Sequence, residues 1–126
     1  MQFSIIVPTF NNYKYLKTSI NSIIKNSTYN HQIIVHINGR NEETESFCKS
    51  LNLEYTITEY NVGLCTGVNI AAKQSKNELV IYAHDDMYFC PKWDYFLISE
   101  IKSISHKNFY LSSTQISPIK ALPGSK

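Results

Sequence analysis

The sequence predicts an α/β domain built on a mostly parallel sheet with flanking helices. Three observations carry that reading. Short apolar runs alternate with stretches of helical spacing along the 126 residues. The joints between them carry turn chemistry, at Pro8, Asn38-Gly39 and Pro91. One buried-type run, Leu79 to Ala83, passes through His84 into two adjacent acids, Asp85-Asp86.

Each element has its own pattern. Phe3 to Val7 is apolar and β-branched, a first strand that Pro8 is expected to stop. Leu16, Ile20, Ile23 and Ile24 are spaced as one face of a helix from about Tyr13 to Lys25. Gln32 to Ile37 is a second strand. Glu42 to about Leu51 is a polar helix whose early acids suit the positive end of the helix dipole. Glu54 to Glu59 alternates as a third strand, Gly63 to Gln74 reads as a helix, and Leu79 to Ala83 is the fourth strand. Pro91 is placed to open a helix from Lys92 to Ile104, with Trp93, Phe96, Leu97, Ile101 and Ile104 on its apolar face. Phe109 to Ser113 is read as a fifth strand. The segment from Gln115, with Pro118, Pro123 and Gly124, is read as a loop or truncated tail. One domain is therefore expected over residues 1–114, with 115–126 outside it.

Composition narrows the function classes. Hydrophobic residues at 43% and charged residues at 17% describe a globular chain, not a disordered one. A net charge of +2 without a basic cluster argues against nucleic acid as a partner. Cys48, Cys65 and Cys90 stand far apart, in no metal-ligand spacing, which favours a reducing compartment and argues against structural zinc. Met1-Gln2-Phe3-Ser4 runs straight into a strand without the pattern of a signal peptide, and no segment reaches the length of a membrane span. A cytoplasmic location is expected, with the membrane reached only through an acceptor.

The acid pair is the strongest functional signal. Adjacent carboxylates repel unless a cation or hydrogen-bond donors meet them. The carboxyl edge of an open α/β sheet is where ligands bind. A divalent metal carrying a diphosphate would satisfy both conditions; a solvated turn is the competing reading. The residues after the first strand exclude other nucleotide sites. Pro8-Thr9-Phe10-Asn11-Asn12 is neither a G-x-G-x-x-G turn nor a phosphate loop, and no G-x-S-x-G elbow occurs.

Three blocks in order resemble the family 2 glycosyltransferases of the GT-A fold, a Rossmann-like nucleotide-sugar-binding architecture. They are Ile5-Ile6-Val7-Pro8-Thr9-Phe10-Asn11-Asn12; Ile33 to Gly39; and Asn61-Val62-Gly63 with Asn69, Ala72 and Asn77-Glu78 leading into Asp85-Asp86. The resemblance implies a nucleoside-diphosphate sugar as donor, UDP being the expected nucleotide, Mn²⁺ or Mg²⁺ as cofactor, and a glycan or other hydroxyl as acceptor. It implies that Asp86 holds the metal and that Asp85 lies near ribose and phosphates. Pro8, Thr9 and Phe10 match the base-pocket segment; Phe10 either stacks on a pyrimidine or packs in the core. Asn38 stands where the family usually has a base-reading Asp, and it either reads the base or simply makes a tight turn with Gly39. Gly63 would let backbone pass close to ligand or open a helix without strain. Asn61 and Asn69 either fix that loop or touch the ligand, and Val68 replaces a basic residue that many members carry.

The resemblance places the general base in a second half of the domain, so no catalytic residue is assigned in this chain. The domain is thus expected to be incomplete on its acceptor side. The leading expectation is metal-dependent sugar transfer; the alternative is a module that binds the donor without transferring it. A nucleotidyltransferase is disfavoured, because a Gly-rich basic loop after the first strand is missing.

Overall fold

A computed structural model describes residues 1–114 of the chain; the tail expected from Gln115 lies outside the described residues. The elements run β1 (Phe3–Thr9), α1 (Tyr13–Asn26), β2 (Gln32–Asn38), α2 (Glu42–Ser50), β3 (Glu54–Thr58), α3 (Leu64–Ala72), β4 (Leu79–Tyr82) and α4 (Trp93–Ser103). All strand pairings are parallel, in the order β3-β2-β1-β4. The α/β fold with a parallel sheet and flanking helices is as the sequence predicts.

Strand alternation divides the core into two layers. Phe3, Ile5 and Val7 of β1 and Ile33, Val35 and Ile37 of β2 pack with Leu16, Ile20 and Ile23 of α1, Phe47 and Cys48 of α2, and Ile98 of α4. Ile6 and Ile34 point the other way, into a smaller cluster with Val68, Ala71 and Ala72 of α3. Three helices cover one face, and one covers the other. Beneath α3 lies His36, fully buried, its Nδ1 2.8 Å from Thr56 Oγ1 and its Nε2 without a partner. Burial pushes its pKa down, so the ring is neutral. Gly67 makes room for it, since a Cβ there would stand 2.5 Å from His36 Cδ2.

Several boundaries differ from expectation, each for a physical reason. β1 continues through Pro8. Ile6 C=O accepts from Ala83 N–H on the β4 side, so by alternation the N–H that Pro8 lacks would face that side beyond the last β4 pair, Ile6–Tyr82. No ladder bond is lost. Ile24 is half exposed, one step off the buried stripe of α1. The fifth strand is not formed: Phe109 to Ser113 pairs with no strand among the described residues, and Tyr110 is 89% exposed.

α4 is rotated relative to its expected apolar face. Phe96 is exposed and Asp94 fully buried. Asp94 accepts from Thr28 N–H (2.8 and 2.9 Å) and Tyr29 N–H (2.8 Å), and lies 3.0 Å from His31 Nε2. His31 Nδ1 accepts from Phe3 N–H at 3.2 Å, so the ring carries its proton on Nε2 and donates it to Asp94. Burial alone would raise the Asp94 pKa, but the N–H donors and His31 outweigh it and hold the carboxyl below its ordinary value. The helix turns this acid inward because it satisfies the backbone entering β2. Trp93 precedes it, donating Nε1–H to Ser27 Oγ at 3.0 Å.

These contacts generate two predictions. Asp94→Ala strands several buried donors and should cost about 3 kcal/mol of unfolding free energy at pH 7. Because the folded pKa is depressed, the part of that contribution that needs the ionised carboxyl is present above the ordinary carboxyl value of 3.8 and is lost as pH falls through the folded one. Urea unfolding at pH 7 and pH 3 should show the gap between wild type and variant closing. Gly67→Ala overpacks the His36 layer and should lower stability by about 1–3 kcal/mol in the same assay; an unchanged midpoint would refute that contact.

Candidate functional site

The carboxyl edge of β1 and β4 brings together residues 76 positions apart. β4 ends at Tyr82, yet Ala83 N–H still donates to Ile6 C=O at 3.0 Å and carries the chain along β1. Thr9, at the end of β1 and 4% exposed, then donates its hydroxyl to Asp85 Oδ2 at 2.7 Å. A short bond to a carboxylate is charge-assisted and directional, so it fixes the orientation of the acid. Asp86, next along the chain, is exposed.

A second cluster lies over the ends of β2 and β3. Asn38, 5% exposed, accepts from Val62 N–H at 2.8 Å and donates to Gly63 C=O at 3.2 Å. Asn61 Oδ1 accepts from Gly63 N–H at 2.9 Å. Gly63 caps α3 with φ of +85°, a conformation that favours glycine, and open space lies where a Cβ would be. Gly39 also has positive φ, and a Cβ there would lie 3.6 Å from the Phe10 ring. Phe10 is half exposed along this rim rather than packed in the core.

Beside the acids, Tyr82 and His84 form an edge-on aromatic pair with centroids 5.0 Å apart. The Tyr82 hydroxyl is 3.4 Å from both ring nitrogens, so it makes no directed bond to either. Burial, and then the nearby Cys65, Asp85 and Asp86, raise the Tyr82 pKa, which keeps the phenol protonated. No sequence motif singles out Tyr82. The signal that could have found it is the period of two along β4, which puts residues 82 and 84 on one side.

The predicted residues thus fall into groups. Thr9 and Asp85 are joined directly, and Pro8 is buried within β1. Phe10, Asn38 and Gly63 share the β2–β3 rim. Asn69 is exposed in the middle of α3, with no hydrogen bond to the other site residues. Val68 packs inward against the Ile6 and Ile34 cluster, so a charged side chain at that position would meet apolar core.

The donor set suits a hard divalent ion. Among the described residues no three His, Cys, Asp or Glu side chains converge to cage a metal. Mg²⁺ and Mn²⁺ are commonly held by one or two carboxylates, with phosphate oxygens and water completing the shell. Asp85, anchored by one oxygen, and the exposed Asp86 meet that requirement. A separate open groove of about 680 Å³ between α1 and α2, lined by Tyr13, Lys17, Glu43 and Phe47, shares no residue with this cluster.

Comparison with known proteins agrees with this fold. The model of glycosyl transferase family 2 matches residues 4–119. Poly(ribitol-phosphate) beta-N-acetylglucosaminyltransferase TarS of Staphylococcus aureus is 32% identical over 95 residues, covering 70% of this chain and 17% of that protein. The crystal structure of S. aureus TarS 1-349 in complex with UDP superposes with a TM-score of 0.71 at 25% identity, over 81% of this chain and 32% of that one. A Pyrobaculum calidifontis mannosyltransferase in complex with GDP-Man and Mn²⁺ shares the fold, with a TM-score of 0.66 at 19% identity over 83% of this chain and 32% of that one. The architecture is of the GT-A type. The chain spans 17% of the length of TarS and 28% of that of a Rickettsia typhi glycosyltransferase it also matches.

Thr9→Val replaces the hydroxyl by a methyl of similar volume and leaves Asp85 Oδ2 without its donor. It should lower the unfolding free energy by about 1 kcal/mol in urea titration. An unchanged midpoint would show that this bond contributes nothing to the fold.

Proposed function

We propose that this chain, which belongs to glycosyl transferase family 2, binds a nucleoside-diphosphate sugar at the carboxyl edge of β1 and β4. UDP is the proposed nucleotide and a divalent ion, Mn²⁺ or Mg²⁺, the proposed cofactor. The observation that carries this reading is the Thr9–Asp85 hydrogen bond, which fastens the acid pair where the strand order diverges. TarS structures in complex with UDP and with UDP-GlcNAc support the choice of nucleotide.

Each residue has a proposed part. Asp86, exposed beside the anchored acid, contributes an oxygen to the metal. Asp85, oriented by Thr9, faces ribose and phosphates with its remaining oxygen. Phe10 offers its exposed ring to the base, with Pro8 holding the backbone of that segment in β1. Asn38 retains one N–H and one lone pair beyond its two loop bonds, enough to meet a base edge. The open space over Gly63 admits the ligand close to backbone. Asn69, exposed on α3, lies at the outer margin. When bound, the metal neutralises the leaving diphosphate, where charge develops in transfer to an acceptor hydroxyl.

The acceptor is proposed to be a glycan or a related hydroxyl, in the cytoplasm, where the three free thiols would stay reduced. No residue of the chain is assigned as general base. The alternative reading is that these residues alone bind donor without rapid transfer.

Titration calorimetry with UDP and Mn²⁺ tests the site. Asp86→Ala should weaken metal-dependent binding by at least about tenfold, and His84→Ala far less. Equal affinities for the two variants would remove Asp86 from the metal. A transfer assay with a panel of nucleotide sugars separates the two readings, since general-base help alone is worth roughly a hundred- to ten-thousand-fold in rate. Robust turnover by the 126 residues would favour a complete enzyme.

A further inference from the structure

We propose that His36 and Gly67 form an acid-sensitive catch beneath α3. With the ring neutral the helix lies down on the sheet, and a second proton on the ring releases α3 together with the loop that leads into it. The inference goes beyond the donor reading and does not depend on it.

His36 lies in β2, paired with Pro8 of β1 and Thr56 of β3, and its side chain is wholly buried on the α3 side of the sheet. Its Nδ1 is 2.8 Å from Thr56 Oγ1, a hydroxyl that can donate or accept, so a neutral ring is served whichever nitrogen carries its proton. Nε2 bonds to nothing among the described residues and is shut off from water. Gly67 is the reason. A Cβ there would stand 2.5 Å from Cδ2 and 2.9 Å from Nε2, so the helix backbone itself closes over this edge of the ring.

A second proton turns both ring nitrogens into donors. Nδ1–H keeps Thr56 Oγ1, but Nε2–H has no acceptor, and a buried charge with an unmet donor is strongly unfavourable. No counter-charge waits nearby. β1 and α3 carry no charged residue, and the ionisable side chain of α3 is Cys65, in its exposed first turn. On β3, Glu54 is already paired with Lys76 at 2.8 Å and accepts from Gln32 at 3.1 Å. On β4, Tyr82 stays a protonated phenol. Beyond the strand ends Asp85 is bonded to Thr9, and Glu59 to Arg40.

α3 is the element that can yield. The layer it makes with the sheet around His36 consists of Ile6, Ile34, Val68, Ala71 and Ala72, while the opposite face holds most of the large side chains. Its fastenings are at its two ends. Asn38 bonds Val62 N–H and Gly63 C=O in front, and Gln32 Oε1 accepts from Lys76 N–H at 2.9 Å behind. Gly67 N–H donates to Gly63 C=O at 3.1 Å, so a lift at Gly67 carries the loop end with it.

Burial holds the His36 pKa below its ordinary 6.5. Above that value the seated and lifted forms are both neutral, and pH has no effect. Below it the lifted form, with its ring in water, takes the proton first. Opening therefore becomes about tenfold more populated per pH unit, until the pH reaches the pKa of the seated ring.

Amide exchange by NMR from about pH 7.5 to about pH 5, corrected for intrinsic rates, measures that opening. The N–H groups of Val68 to Ala72 are expected to be less protected than those in the middle of α1 and insensitive to low urea. They should lose protection by about tenfold per pH unit below 6.5. His36→Gln, neutral at every pH and still able to bond Thr56, should flatten the profile. The neighbouring ionisable groups are the same in both chains, so the difference isolates position 36. Three results would each overturn the proposal: a flat wild-type profile, an equal slope in His36→Gln, or α3 amides that match α1 in protection and urea dependence. Should the variant fail to fold, the wild-type ring decides. The NMR titration of its carbon-bound protons should have a midpoint below 6.5, and a midpoint at or above that value would overturn the catch.

Discussion

The pairing of β1 by parallel strands on both sides is the constraint on which the carboxyl edge depends. Every residue of β1 is buried, and its neighbours β2 and β4 are reached by connections that leave in opposite directions. α1 carries the chain from β1 to β2, while α3 brings it back from β3 across β2 and β1 to β4. In open α/β sheets the carboxyl ends of the strands where the connections part are where ligands bind. The Thr9–Asp85 bond crosses that line. It joins the two strands at the place where nothing in the sheet ladder would join them, since the last β1–β4 pair is Ile6–Tyr82.

The two faces of the sheet play unequal parts. The face under α1, α2 and α4 holds most of the large apolar side chains and supplies most of the burial that keeps the sheet together. The face under α3 is thin: Ile6, Ile34, Ala71 and a neutral histidine beneath a glycine. α3 lies close to the sheet because Gly67 and Ala71 are small. That proximity brings Gly63, one helical turn before Gly67, down to the end of β2, within reach of Asn38. Packing in the thin layer and the shape of the Val62–Gly63 loop are thus one problem. A change at His36 or Gly67 should be felt at Val62.

Much of the fold was legible in the sequence because the apolar periods are strong. The four strands and four helices appear with ends displaced by a few residues, and the acids come after β4 as the run into Asp85-Asp86 implies. The illegible part depends on contacts between distant residues. Pro8 reads locally as a strand breaker, and only the sheet shows that its missing N–H faces the side where β4 has ended. Asp94 reads as the solvent side of a helix, because nothing in residues 92–104 announces the unpaired N–H groups of Thr28 and Tyr29. Phe109 to Ser113 has the composition of a strand but pairs with none among the described residues. Within the candidate site, the residue types were legible and their bonds were not. Thr9 and Asn38 can be picked out in sequence, but that one holds an acid and the other a loop is a tertiary fact.

The buried Asp94 also bears on the exposed Asp86. The segment from Asp85 to Lys92 has no regular secondary structure, and on its own it would be expected to wander. It is tied at both ends and in the middle. Thr9 holds Asp85. Phe89 N–H donates to Ser22 Oγ at 2.9 Å, Phe89 C=O accepts from Asn26 Nδ2 at 2.6 Å, and Lys92 N–H donates to Asn26 C=O at 2.8 Å. Asp94 then locks the start of α4 onto the residues after α1. Asp86 therefore stands on a short span between fixed points, and an acid so placed can be solvent-exposed yet pre-oriented. A fully buried carboxylate would instead need its counter-charge permanently, as Asp94 needs its donors.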